Sequence, residues 1–110
     1  MRSYLIDEIS PPDMKKITDF LKENCAVSNL DQLFWVKIPQ DLLSETQFQH
    51  RDCQPHAFAV ELGHDWVKLE FLVRSLNNMQ CTCPGYSTRQ QRTFIINFAH
   101  SMIKHLEINT

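Results

Sequence analysis

Glycine is scarce in this chain, and its scarcity excludes one class of ligand site. Only 2 of the 110 residues are glycine. A loop that cradles phosphate groups with its backbone amides needs several glycines close together, so the common nucleotide-binding loops are excluded.

With 43% hydrophobic and 22% charged residues, the composition is that of an ordinary folded protein. At this length we expect a single domain over residues 1–110.

Long apolar runs and clusters of basic residues are also missing. No apolar run approaches the roughly 20 residues that a membrane span requires. The net charge is −2 and the 11 lysines and arginines are scattered, whereas binding to nucleic acid depends on clustered positive charge. We therefore expect neither a membrane nor a nucleic acid as a partner. The amino-terminal stretch is acidic at Asp7 and Glu8 and lacks the apolar centre of a signal peptide, which predicts a cytoplasmic protein.

Strand signals are concentrated between residues 56 and 83. Hydrophobic residues recur there at every second position, which is the period of a half-buried strand. Gly63-His64 is predicted to form a two-residue type II′ turn that opposes Val60 to Val67. A third strand is expected over Met79–Cys83. Outside this meander, the aromatic and β-branched residues of 33–38 predict a further strand, whose position in the sheet the pattern leaves open.

Helix signals lie on both sides of the meander. Ser10 followed by two prolines is typical of a helix start, and apolar residues then recur at helical spacing. Ser44 and Gln47 have the spacing of a capping box. The predicted helices span about residues 11–25, 45–53 and 88–107. We therefore predict an α+β fold, in which an antiparallel meander of three or four strands is covered by the amino-terminal helix and the long carboxy-terminal helix.

One group of residues has the character of metal ligands. Cys53-x-x-His56 lies just before the first meander strand, and Cys81-x-Cys83 closes the third. Zinc favours four such ligands in a tetrahedron, commonly from two close pairs. Against a zinc site, residues two apart on a regular strand hold their side chains roughly 6.5–7 Å apart, so Cys81 and Cys83 would need a bend. The alternative is that they line one face of an edge strand. All four cysteines, including Cys25, are expected to be thiols in the cytoplasm.

No catalytic constellation is recognisable. Cys53 and His56 are close in sequence, but a nucleophilic pair also needs an orienting third group, and no paired carboxylates are evident. A protein without enzymatic activity is therefore favoured, with no catalytic residues and no cofactor apart from zinc in the alternative above.

The second sheet face is the remaining functional signal. Trp35, Trp66 and Leu72 alternate with the better apolar series, so we expect them to point away from the helices and to form an interface. The sequence thus predicts a small interaction module that binds itself, as a homodimer, or another protein. The alternative function is a zinc-binding or thiol-based protein that uses Cys53, His56, Cys81 and Cys83.

Overall fold

An antiparallel sheet is the framework of the fold, which the computed structural model describes for residues 2–28, 30–77 and 85–109. The architecture is α+β, as predicted, with an amino-terminal helix and a long carboxy-terminal helix. The strands are β1 (Ser3–Ile6), β2 (Ala26–Val27), β3 (Leu33–Lys37), β4 (His56–Leu62), β5 (Val67–Glu70), β6 (Leu72–Ser75) and β7 (Gly85–Tyr86). The helices are α1 (Pro11–Asn24), α2 (Glu45–Gln49) and α3 (Arg89–His105). Two short 3-10 turns cover Gln40–Leu42 and Arg51–Cys53.

Each helix begins where the sequence places a capping residue. The Ser10 hydroxyl accepts a hydrogen bond from the Asp13 amide at 3.4 Å, and proline occupies the first turn of α1. Ser44 with Gln47 and Thr88 with Gln91 form complete capping boxes at α2 and α3. These contacts satisfy backbone amides that the first turn of a helix leaves without partners.

The two capping boxes are joined to each other. The Gln91 side-chain amide donates to Gln47 Oε1 at 2.8 Å and to the Leu42 carbonyl at 2.9 Å. Both glutamines are buried, Gln47 with 3% of its surface exposed and Gln91 with none. Buried amides are stable only when they are hydrogen-bonded, so this contact fixes α2 against the start of α3.

The seven described strands occupy five positions across the sheet. β4 pairs on one side with β3, which pairs in turn with β2, and on its other side with β5 and then β6, which lie end to end. Beyond these two strands, β1 pairs with β5 and β7 pairs with β6. Phe71 lies at the junction, where its amide donates to the Arg2 carbonyl at 3.1 Å and its carbonyl accepts from the Ser87 amide at 2.7 Å. The predicted second strand is therefore divided at Phe71, which accounts for part of the higher strand count.

The turn between β4 and β5 differs from the prediction. The strand register opposes Leu62 to Val67 and Val60 to Leu69, two residues away from the predicted pairing, although the faces are the same. Gly63 does not have a positive φ, so the type II′ turn was wrong. The Gly63 amide donates to the Trp66 carbonyl at 2.9 Å and closes a longer turn. Glycine is needed because a Cβ there would lie 1.9 Å from the Trp66 ring.

One face of the sheet, called the inner face below, carries the core. Ile17 of α1 and Ile95 of α3 pack in one cluster with the inward residues of the strands, so both helices cover this face. Residues 33–38, whose place the sequence left open, contribute through Phe34 and Val36. The core includes Phe58, Val60, Val67, Leu69 and Met102 as fully buried members, whereas Phe71, Phe94 and Phe98 are half-buried at its margin. The predicted strand over Met79–Cys83 lies outside the described residues.

Candidate functional site

The corner where β4 begins brings together half of the predicted metal ligands. Cys53 ends a 3-10 turn and is 5% exposed, and His56 opens β4 with no exposed surface. Cys53 is disulfide-bonded, whereas Cys25 is a free, half-buried thiol. All four cysteines were expected to be thiols, and at Cys53 this expectation was wrong. Burial raises the pKa of the Cys25 thiol, which makes it a poor nucleophile.

This corner is connected to the end of β6 by side-chain and backbone hydrogen bonds. His56 pairs with Ser75 across the sheet, and the Ser75 hydroxyl donates to the Cys53 carbonyl. The Asn77 side chain donates to the Asp52 carbonyl at 2.6 Å. The Leu76 amide donates to the Pro55 carbonyl at 3.0 Å. The chain therefore leaves β6 beside Cys53.

Cys81 and Cys83, the other two predicted ligands, lie outside the described residues. Within residues 2–28, 30–77 and 85–109, no three His, Cys, Asp or Glu side chains are grouped to hold a metal ion. Burial lowers the pKa of His56, and the neighbouring His50 lowers it further. Both causes favour the neutral imidazole, which is the form that binds metals and accepts hydrogen bonds.

The outer face of the sheet contains the predicted interface residues. Trp35 and Leu72 point away from the buried series of their strands and remain partly exposed. Trp35 lies opposite Ala59 and Ala26, and Leu72 lies opposite Tyr86, which is 53% exposed. Ala59 lies opposite Trp35, Ala57 lies opposite Lys37 and Arg74, and both alanines are buried. The helix residues of the core cluster pack on the inner face, so the outer face has an apolar centre without a helix among the described residues.

Trp66 has a second role in addition to the predicted one. Its ring lies against Gly63, and the Lys68 ammonium stands 5.7 Å from the ring centre. These contacts leave it only partly exposed. Trp66 therefore stabilises the β4–β5 turn, and Trp35 is the better probe of the face.

Two ion pairs lie on the outer face. Lys68 and Glu61 are 3.3 Å apart, and Arg74 and Glu70 are 3.5 Å apart. These pairs are partly exposed, so they contribute little to stability. They do leave the face with both signs of charge in alternation, which suits a partner of low net charge.

A groove beside β1 was missed by sequence reasoning. It has a volume of about 660 Å³ and lies between β1 and the carboxy-terminal half of α3. The Tyr4 hydroxyl and His100 Nε2 are 2.7 Å apart at its wall, and their rings are in edge contact. Lys104 and Ile103 continue the wall along α3. Tyr4 and His100 are 96 residues apart in sequence, so no local pattern joins them.

Comparison with family models, with curated proteins and with solved structures found no significant match to this chain. In the part of the chain that the structure describes, none of the helices has the length and apolarity needed to cross a bilayer.

Proposed function

We propose that this chain is a small cytoplasmic interaction module that binds a second copy of itself, or another protein, through the outer face of its sheet. The observation that carries the proposal is the apolar centre of this face, where Trp35 and Leu72 stay partly exposed while α1 and α3 cover the opposite face. Exposed apolar patches rimmed by polar groups are typical of interaction sites.

The rim of the face supports a self-complementary contact. Glu61 and Glu70 alternate with Lys68 and Arg74 on neighbouring strands. A two-fold axis through such a pattern can set each charge opposite one of the other sign, and an isologous contact uses the same patch on both copies. Because both signs of charge are present on this face, we do not expect it to attract a strongly acidic or strongly basic partner.

The test is the mass of the protein in solution by light scattering. The wild type should self-associate, and Trp35→Glu should yield a folded protein of lower mass, because the change places a charge in the centre of the contact. Arg92→Glu changes an exposed charge on α3, on the opposite layer, and should leave the mass unchanged.

Two results would count against this function. One is a monomeric wild type whose tryptophans are poorly quenched by iodide, since the face would then be covered within the monomer. The other is an assembly whose mass Trp35→Glu does not change.

The disulfide at Cys53 favours thiol chemistry as a second candidate function. We infer that an external dithiol, which is itself oxidised to a disulfide, supplies the two electrons and two protons that open the Cys53 disulfide, and that Cys53, His56, Cys81 and Cys83 bind zinc in the reduced state. Cys25 is free, so it is not the disulfide partner of Cys53. Thiolates and a neutral imidazole are the ligands that zinc prefers.

Alkylation of the denatured protein, with and without reductant, tests this candidate. The thiol-based function requires that reductant adds reactive thiols, and that Cys25→Ser, the matched control, leaves the gain unchanged. Metal analysis of protein purified under reduction without chelator should then find about one zinc per chain, lost in Cys81→Ser. Four reactive thiols without reductant and no zinc would exclude both states.

A further inference from the structure

β1 is an edge strand with an open side. Among the described residues it pairs only with β5. The Phe71 amide donates to the Arg2 carbonyl, and hydrogen-bonded positions alternate along an antiparallel pair. Arg2, Tyr4 and Ile6 therefore direct their backbone groups toward β5. Ser3 and Leu5 direct theirs to the open side, where unpaired amides and carbonyls are a template for another strand.

This edge lacks the protection that sheet edges usually have. β2 and β7, the other described edge strands, are each 2 residues long, which limits pairing. β1 has 4 residues, without lysine or proline, and its Leu5 is 53% exposed. An open edge of this kind favours pairing with another strand.

A groove lies on each side of the β1 edge. The inner groove, described above, is lined by Tyr4, Ile6 and the end of α3. The outer groove, of about 280 Å³, is lined by Leu5, Trp66 and Lys68. A strand added beside β1 would send its alternate side chains into these two grooves, which is the arrangement of β-strand addition sites.

The strand that fits this edge best is β1 of a second copy. Antiparallel pairing centred on Leu5 opposes Leu5 to Leu5 and Tyr4 to Ile6 of the copy. The same register opposes Ser3 to Asp7, and Arg2 to Glu8. Apolar residues then meet apolar ones, and the positive charge meets the negative one, on both sides of the axis. Moving the register by one residue would oppose side chains on different faces.

We propose that two copies join through β1 and extend the sheet across a two-fold axis. The proposal rests on the proposed interaction function and names a second copy as a partner, at a surface separate from the outer face. The axis is perpendicular to the sheet, so the two outer faces lie on the same side of the joined sheet. If both surfaces are used, four chains assemble.

Analytical ultracentrifugation of single variants tests the edge. Leu5→Pro removes an amide that points to the open side and leaves the β1–β5 hydrogen bonds in place. It should weaken association about 10- to 100-fold. Arg2→Glu should weaken it about 10-fold, and the double change Arg2→Glu with Glu8→Arg should restore it. Circular dichroism shows whether each variant is folded.

The outcomes separate the edge from the outer face. Loss of association in the β1 variants, with rescue by the double change, supports the edge whatever Trp35→Glu does. Association that Trp35→Glu reduces and the β1 variants do not would overturn the edge and leave the proposed function intact. A wild type that stays monomeric over about a 50-fold range of concentration would overturn the edge and self-association at the outer face together. If Leu5→Pro does not fold, the charge exchange still decides.

Discussion

The two sides of β4 show how differently one strand can be buried. On the inner side Phe58 and Val60 have no exposed surface and pack beneath two helices. On the outer side Ala57 is equally inaccessible, and Ala59 is 2% exposed, yet no described helix residue of the core cluster packs on that side, where their cross-strand partners include Lys37, Arg74 and Trp35. Burial alone therefore does not identify the core. A core residue is identified by a large buried side chain together with a helix that packs over it.

The largest expected effect is at the inner side. Phe58→Ala should lower the free energy of unfolding by about 3–5 kcal/mol, because it removes a fully buried ring and leaves a cavity. The ring also makes T-shaped contacts with Phe94 and Phe98, at 6.4 Å and 5.8 Å between centroids. Urea unfolding measures the loss. Phe98→Ala, at a half-buried position, should cost less, and equal losses would contradict the distinction between core and margin.

The second-largest loss of stability is expected at the turn between β4 and β5. Gly63→Ala is expected to cost about 1–3 kcal/mol, since the added methyl group overlaps the Trp66 ring and forces it to move. Thermal or urea unfolding of Gly63→Ala, Trp66→Ala and the double variant gives the coupling between them. The double variant should lose less than the sum of the single losses. Additive losses would mean that the ring does not pack on Gly63.

The pH dependence of the free energy of unfolding should reflect the burial of His56, the first residue of β4. Burial lowers the pKa of His56 in the folded protein. The unfolded chain then takes up a proton near pH 6.5 that the folded chain does not, so stability falls as the pH drops below about 6.5 and is unaffected above it. The slope reaches at most about 1.4 kcal/mol per pH unit. His56→Gln should flatten the curve of unfolding free energy between about pH 7.5 and 5.5, where carboxylates contribute little. An unchanged slope would contradict the assignment.

The smallest effect is expected at the outer side. A double-mutant cycle on Glu61 and Lys68, whose side chains are each 39% exposed, should give a coupling below about 1 kcal/mol that salt reduces further. A coupling above about 2 kcal/mol would show that the pair is desolvated and would contradict its exposed position at the rim of the face.

Most of the fold followed from local signals in the sequence. The start of α1 was predicted because Ser10 and the two prolines act on the first turn alone. The inward and outward residues of β4 and β5 were predicted because apolar and polar residues alternate along each strand, and this alternation determines the face on which each side chain lies. The register between those strands was not, because the ring of Trp66 and the missing side chain of Gly63 set the turn length. The break at Phe71 depends on two distant edge strands and has no local signal.

The candidate site was predictable only in part, for the same reason. The Cys53–His56 pair and the outward position of Trp35 are visible in sequence spacing. The Tyr4–His100 contact, the Ser75 hydrogen bond to Cys53 and the open side of β1 arise from strand order, which a pattern of single residues does not determine. The second function of Trp66 likewise required the three-dimensional turn.

The joined capping boxes have a consequence for folding kinetics. A helix cap is normally a local contact that forms with the first turn, but here the caps of α2 and α3 share a hydrogen bond between residues 44 apart. Completing the start of α3 therefore requires closure of a long loop, and such contacts slow folding relative to local ones. Gln47 and Gln91 should consequently act as one cooperative unit, whose substitutions are not additive. The amino-terminal turn of the longest helix is in this sense a tertiary contact as much as a secondary one.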